Sequence, residues 1–176
     1  MKHKKNIGLR LYFVLLLALL VAIVLSSCGR NYMSPERALR DFSNRIERGN
    51  LDGLTLTIYY RDILTTFHFP FSVEDFVGRG MYERKIVVDG TELEEYIELL
   101  RQVDADSLMP VTQEFPMLVM LYYVFEVNGR KIFSFVPRFS DDDSNMLING
   151  IEFEWKDAFI DVIRPFLPKD SPWLWD

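Results

Sequence analysis

Two Asn-Gly pairs constrain this 176-residue chain more than any other feature. Asn128-Gly129 separates the apolar run 118–127 from residues 131–136, and Asn149-Gly150 separates 146–148 from 151–155. Asn-Gly is the favoured centre of a type I′ turn, because both positions take positive φ and the twist of that turn matches two antiparallel strands. Two tight hairpins are therefore expected in the C-terminal half. The run 118–127 is almost wholly apolar and aromatic, which fits a central strand covered on both faces.

Upstream, Ser34-Pro35 reads as a helix start, with a hydroxyl cap followed by proline where a missing N–H costs nothing. Ala38, Leu39, Phe42 and Ile46 recur at helical spacing, and Gly49 closes the segment. The period then changes to two, with Leu54, Leu56, Ile58 and Tyr60 on one face of a strand and Thr55, Thr57 and Tyr59 on the other. A single helical turn is expected at 72–78 under a Ser72 cap, and a strand at 81–88. Thr91-Glu92-Leu93-Glu94 is a capping box that opens a second helix with Leu93, Tyr96, Ile97, Leu100 and Val103 as its apolar stripe. A last short helix starts near Asp157 and is stopped by Pro165 and Pro168. This order predicts an α+β fold: an antiparallel sheet of about five to six strands with about two to three helices, mainly on one face. An apolar content of 49%, with 14% aromatic residues, supplies a core for such a sheet and excludes a disordered chain.

The N-terminal segment is built differently. Lys2, Lys4, Lys5 and Arg10 stand there without an acid, residues 11–25 are apolar apart from Tyr12, and Ser26-Ser27-Cys28-Gly29 follows. A basic start, an apolar stretch of about 15 residues and a small-residue junction describe an export signal rather than a spanning helix, which needs about 20. Leu25-Ser26-Ser27-Cys28 resembles the lipobox of bacterial lipoproteins. Its chemistry explains its composition: small side chains let an extended backbone enter a peptidase cleft, and only a thiol forms the thioether to diacylglycerol. The resemblance implies that residues 1–27 are a signal peptide removed before Cys28. It also implies that Cys28 is the lipid attachment site and that the chain stays on the outer face of a bacterial membrane. The alternative is an uncleaved anchor over 7–27. Residues 28–33 form a short lipidated linker, whose five residues after the cysteine reach at most about 18 Å. Residues 34–176 are expected as a single domain held close to the bilayer.

Charge and cysteine count narrow the functional classes. The chain carries 20 Lys and Arg against 26 Asp and Glu, and the leader holds four of the basic residues and no acid. The remainder therefore has 16 against 26, a formal −10. With no dense basic stripe, a nucleic-acid partner is not expected. A single cysteine excludes an intramolecular disulfide and any site of several thiolates.

Few residues have the company that chemistry requires. His68, the one histidine outside the leader, lies between Phe67 and Phe69, and no Gly-x-Ser-x-Gly elbow occurs. No catalytic residue is assigned. Phe67, Phe69 and Phe71 around Pro70 either close one end of the core or form an edge strand whose rings meet a partner. Asp141, Asp143, Asn145, Ile148 and Glu152 fall at positions 1, 3, 5, 8 and 12 of an EF-hand-like loop. Met146 stands where such a loop needs glycine, and the flanks read as strands, so an acidic hairpin loop is preferred and no metal or cofactor is assigned. Gly78-Arg79-Gly80 lacks the helix-opening context of a phosphate loop. Glu92, Glu94, Glu95 and Glu98 read as a solvated helix face. Trp173 and Trp175 fold back over the sheet, sit at the bilayer interface or dock on a neighbour.

The expected function is that of a membrane-anchored extracytoplasmic lipoprotein. It would act as a non-enzymatic binding or accessory module at the cell envelope, meeting a protein or peptide through an aromatic or edge-strand surface. Two alternatives belong to other classes. A small-ligand receptor would enclose a cavity lined by Tyr and Phe of the central strands, and a carboxylate-dependent hydrolase would bring two acids together in a cleft.

Overall fold

The computed structural model describes residues 33–61, 72–106, 108–111, 119–139, 144–169 and 171. The chain divides between Met33 and Ser34, and every element below belongs to the unit Ser34–Asp176. Helix α1 (Pro35–Glu47) starts as its sequence requires, with the Ser34 hydroxyl accepting from the Arg37 N–H at 3.4 Å. Strand β1 (Leu54–Tyr60) follows. Helix α2 (Val73–Gly78) is capped by Ser72, whose Oγ accepts from the Asp75 N–H at 3.1 Å.

Strand β2 (Arg84–Asp89) begins three residues later than its sequence pattern implies. The reason is the end of α2. Gly80 takes φ +64°, the Met81 N–H bonds the Phe76 carbonyl and the Gly80 N–H bonds the Val77 carbonyl. This double closure spends residues 80 and 81 on terminating the helix. The next helix is also capped differently from expectation. Asp89 rather than Thr91 is the cap, and its Oδ1 accepts from the N–H groups of Thr91 and Glu92 at 2.9 and 3.1 Å. Gly90 fixes this arrangement, because a Cβ there would lie 2.3 Å from the Leu51 carbonyl oxygen. The helical stretch runs through α3 (Gly90–Leu93), a 3-10 turn (Glu94–Tyr96) and α4 (Ile97–Leu100). Glu92, Glu94, Glu95 and Glu98 are all exposed on it.

Strands β3 (Leu121–Val127), β4 (Arg130–Phe139), β5 (Ser144–Ile148) and β6 (Ile151–Glu154) form a meander. Both connecting turns in described residues have positive φ at each central position, 50° and 74° at Asn128-Gly129 and 53° and 83° at Asn149-Gly150. Helix α5 (Ala158–Asp161) and a 3-10 turn (Arg164–Phe166) close the described chain. The result is an α+β fold around one six-stranded antiparallel sheet of order β2-β1-β3-β4-β5-β6.

The register places one set of side chains on a common face. Leu56 lies between Val88 and Phe125, Ile58 lies between Ile86 and Tyr123, and the row continues through Phe133, Phe135 and Ile148. α1 lays Phe42 against Phe125 and Phe133, with ring centroids 4.8 and 5.1 Å apart. α5 stacks Phe159 on Phe135 at 5.6 Å. Fully burying a side chain of this size is worth roughly 1.5–3 kcal/mol, so these rings contribute substantially to the stability of the unit. The second face carries a smaller cluster in which α2 delivers Phe76 onto Val136 and Val119, flanked by Tyr59, Tyr82 and Tyr122. β3 is thus covered on both faces.

The two sheet edges differ. At β6 the Val111 N–H bonds the Glu152 carbonyl and the Glu154 N–H bonds the Met109 carbonyl, so a short segment covers that edge. At β2, no strand among the described residues pairs with the outer side.

Candidate functional site

Cys28, His68, Phe67, Phe69, Phe71, Asp141, Asp143, Trp173 and Trp175 all lie outside the described residues. The members of the acidic loop that are described lie in a hairpin. Asn145 on β5 and Glu152 on β6 meet, with the Asn145 amide donating to Glu152 Oε1 at 3.1 Å. The same carboxylate is ion-paired to Arg138 on β4. A guanidinium on the carboxylate at position 12 opposes a divalent cation, which would need that group as its strongest ligand. Among the described residues no group of three or more His, Cys, Asp or Glu is placed to hold a metal ion.

Among the described residues, the outer edge of β2 is a sheet edge that no other strand covers. The Arg61 N–H bonds the Met120 carbonyl at 2.8 Å and the Asn128 N–H bonds the Gly53 carbonyl at 2.9 Å, extending the β1–β3 ladder past both ends of β1. Odd-numbered residues of β1 therefore bond to β3 and even-numbered ones to β2, since the two sides alternate along an antiparallel strand. The β1–β2 register pairs even with even, as in Leu56 with Val88 and Ile58 with Ile86. Consequently Ile86 and Val88 direct their main-chain groups inward, and Lys85, Val87 and Asp89 direct theirs to the open side. Val87 is 56% exposed at the middle of this row, and Lys85 and Asp89 are exposed at its ends.

Aromatic packing stiffens the ground behind this edge. Lys85 Nζ lies 5.4 Å from the Tyr59 ring centroid, within cation–π range. Tyr59 in turn packs against Tyr82 and Tyr122, at 4.9 and 5.9 Å. Burial pushes the Tyr122 phenol up to about 12. A hydrogen bond with Ser134 opposes that rise, and the charges of Glu126 and Glu74 add to it. Both phenols of the central strand stay neutral at ordinary pH, since burial also raises Tyr123 well above the usual range. The Tyr123 hydroxyl donates to the Phe159 carbonyl at 2.9 Å.

Next to the end of β2 lies a polar cleft of about 510 Å³, lined by Asp52, Thr55, Asp89, Thr91 and Glu94 among others. Of its three carboxylates, Asp89 is engaged as the cap of α3. The cleft can accept hydrogen bonds, and it shares Asp89 with β2.

Sequence reasoning missed β2 as the open edge. The available signal was charge placement. Residues 84–89 carry Arg84 and Lys85 at one end and Asp89 at the other, and charges on a strand are a common guard of unpaired edges. Comparison with models of known protein families, with curated proteins and with solved structures finds no match. Among the described residues no helix is long and apolar enough to cross a membrane.

Proposed function

We propose that this chain is a bacterial lipoprotein, held at the extracytoplasmic face of the membrane by a diacylglyceryl thioether on Cys28. Its globular unit serves as a non-enzymatic binding or accessory module of the cell envelope and meets a protein or peptide along a sheet edge. The observation that carries this reading is the junction Leu25-Ser26-Ser27-Cys28 behind a basic, apolar leader, with Ser34 capping the first helix shortly afterwards. Two features support a surface role. The core-facing rings of β3 and β4 stack on one another and on Phe42 and Phe159, with Tyr123 stacked on Phe135 at 4.8 Å and Phe125 on Phe133 at 5.1 Å. The β2 edge offers a row of main-chain donors and acceptors that an added strand can use.

The test is Cys28→Ser in a bacterial host fed a labelled fatty acid. The expected result is loss of the label and release of the chain from the membrane fraction. A substituted chain that still carries label, or still sediments with membranes, overturns the anchor.

A further inference from the structure

We propose that the partner along β2 is a second copy of this chain, joined by antiparallel β2–β2 pairing with its two-fold axis at Val87. This deepens the edge-surface part of the function proposed above and is independent of the lipid anchor.

The charge order of the strand selects both the partner and the register. Along β2 the outward-facing residues run positive, apolar, negative: Lys85, Val87, Asp89. An antiparallel partner must present the reverse order, and a second copy turned by a two-fold rotation does so. Such a rotation about an axis perpendicular to the sheet keeps each face of the sheet continuous across the junction, so residues opposite each other point the same way. Centred on residue 85, Lys85 would face itself. Centred on 86, Glu83 would face Asp89. Like charges directly opposite are unfavourable on a sheet. Centred on 88, Lys85 would face Thr91, which already lies in α3 and no longer extends the ladder.

Centred on Val87, every pair between residues 85 and 89 is compatible. Lys85 faces Asp89 at both ends, Val87 faces Val87 in a hydrogen-bonded pair, and Ile86 faces Val88 twice on the core side. The caps of α3 use Asp89 Oδ1 alone, so the other carboxylate oxygen is not spent on the helix. The pairing covers the 56% exposed Val87 and satisfies edge main-chain groups that no described strand pairs with.

The geometry supplies a direct probe. Hydrogen-bonded antiparallel pairs hold Cα atoms about 5.5 Å apart, inside the range of roughly 4.4–6.8 Å that a disulfide spans. Full-length chain carrying Val87→Cys is oxidised mildly in the unfractionated lysate of cells that express it and read on a non-reducing gel. The unsubstituted chain, with its own Cys28, sets the background. The expected result is at least a fivefold higher yield of reducible self-dimer than Met109→Cys or Ile151→Cys, whose parent residues are 54% and 48% exposed away from this edge. Adding Lys85→Glu to Val87→Cys places acid opposite Asp89 and cuts the yield at least fivefold, whereas Lys85→Arg preserves it. A Val87→Cys yield no higher than that of Ile151→Cys overturns the pairing. So does a yield indifferent to Lys85→Glu, or an adduct with a different protein in place of the self-dimer. Loss of the anchor shows instead as release after Cys28→Ser, so the two proposals fail separately.

Discussion

Arg138 on β4 and Glu152 on β6 form an ion pair that reaches across β5, with only 10% and 13% of their side-chain surfaces exposed. Asn145, the residue of β5 that pairs with Arg138, donates to the same carboxylate from beneath the bridge. Three strands are thus tied at one point on the second face of the sheet.

That burial sets the cost of breaking the pair. Charges removed from water stabilise little as a matched pair, but a single one left behind is expensive. Glu152→Ala is expected to lower the unfolding free energy by about 3 kcal/mol. The double substitution Arg138→Met with Glu152→Leu is expected to stay within about 1 kcal/mol of the parent. Urea unfolding of the three chains checks both, and a double variant as unstable as the single one would contradict the account.

The same bridge bears on calcium. With the Glu152 carboxylate already facing a guanidinium, millimolar calcium is expected to leave the melting temperature unchanged within about a degree, since an extracellular-type calcium site would be populated at that concentration. Thermal melts with calcium and with chelator decide this. A rise of several degrees that Asp141→Ala abolishes would show that the acidic loop recruits the ion despite Arg138.

Alkaline pH should weaken the fold through Tyr122. Its phenol titrates near 12 in the folded chain and near 10 when unfolded, so the folded state holds the proton more tightly. The associated stability is complete below pH 10 and is lost as pH rises from 10 through 12, by an amount on the order of 2 kcal/mol. Tyr123, raised in the same direction by burial, adds to the fall. Denaturant titrations at pH 9, 10, 11 and 12 should show the decline, and Tyr122→Phe should make it shallower.

Local rules carried the fold, and tertiary contacts decided what those rules left open. The Ser34 cap, the period change at Leu54 and the two Asn-Gly turns are settled within a few residues of chain, and each stands where its sequence places it. The cap of α3 was not legible, because Asp89 and Thr91 are both competent. The choice falls to Gly90 pressed against the carbonyl of Leu51, a residue far away in sequence. The start of β2 was hidden for a similar reason, since Met81 closes α2 instead of opening a strand. The open edge needed the strand order itself. Nothing local in 84–89 says that β2 will have only one neighbour among the described strands, although the charges at its ends are consistent with that outcome.

The strand order has a consequence for how the chain is made. β3 to β6 follow one another as nearest neighbours, whereas β1 waits for β3, more than sixty residues downstream. Synthesis runs from the N-terminus, so β1 and β2 emerge as a two-stranded ribbon whose Thr55, Thr57 and Tyr59 main-chain groups have no β3 partner until Val127 has appeared. Such ribbons are marginal in water and prone to sticking. The seam between β1 and β3 is therefore the join in the sheet that closes across the longest stretch of intervening chain.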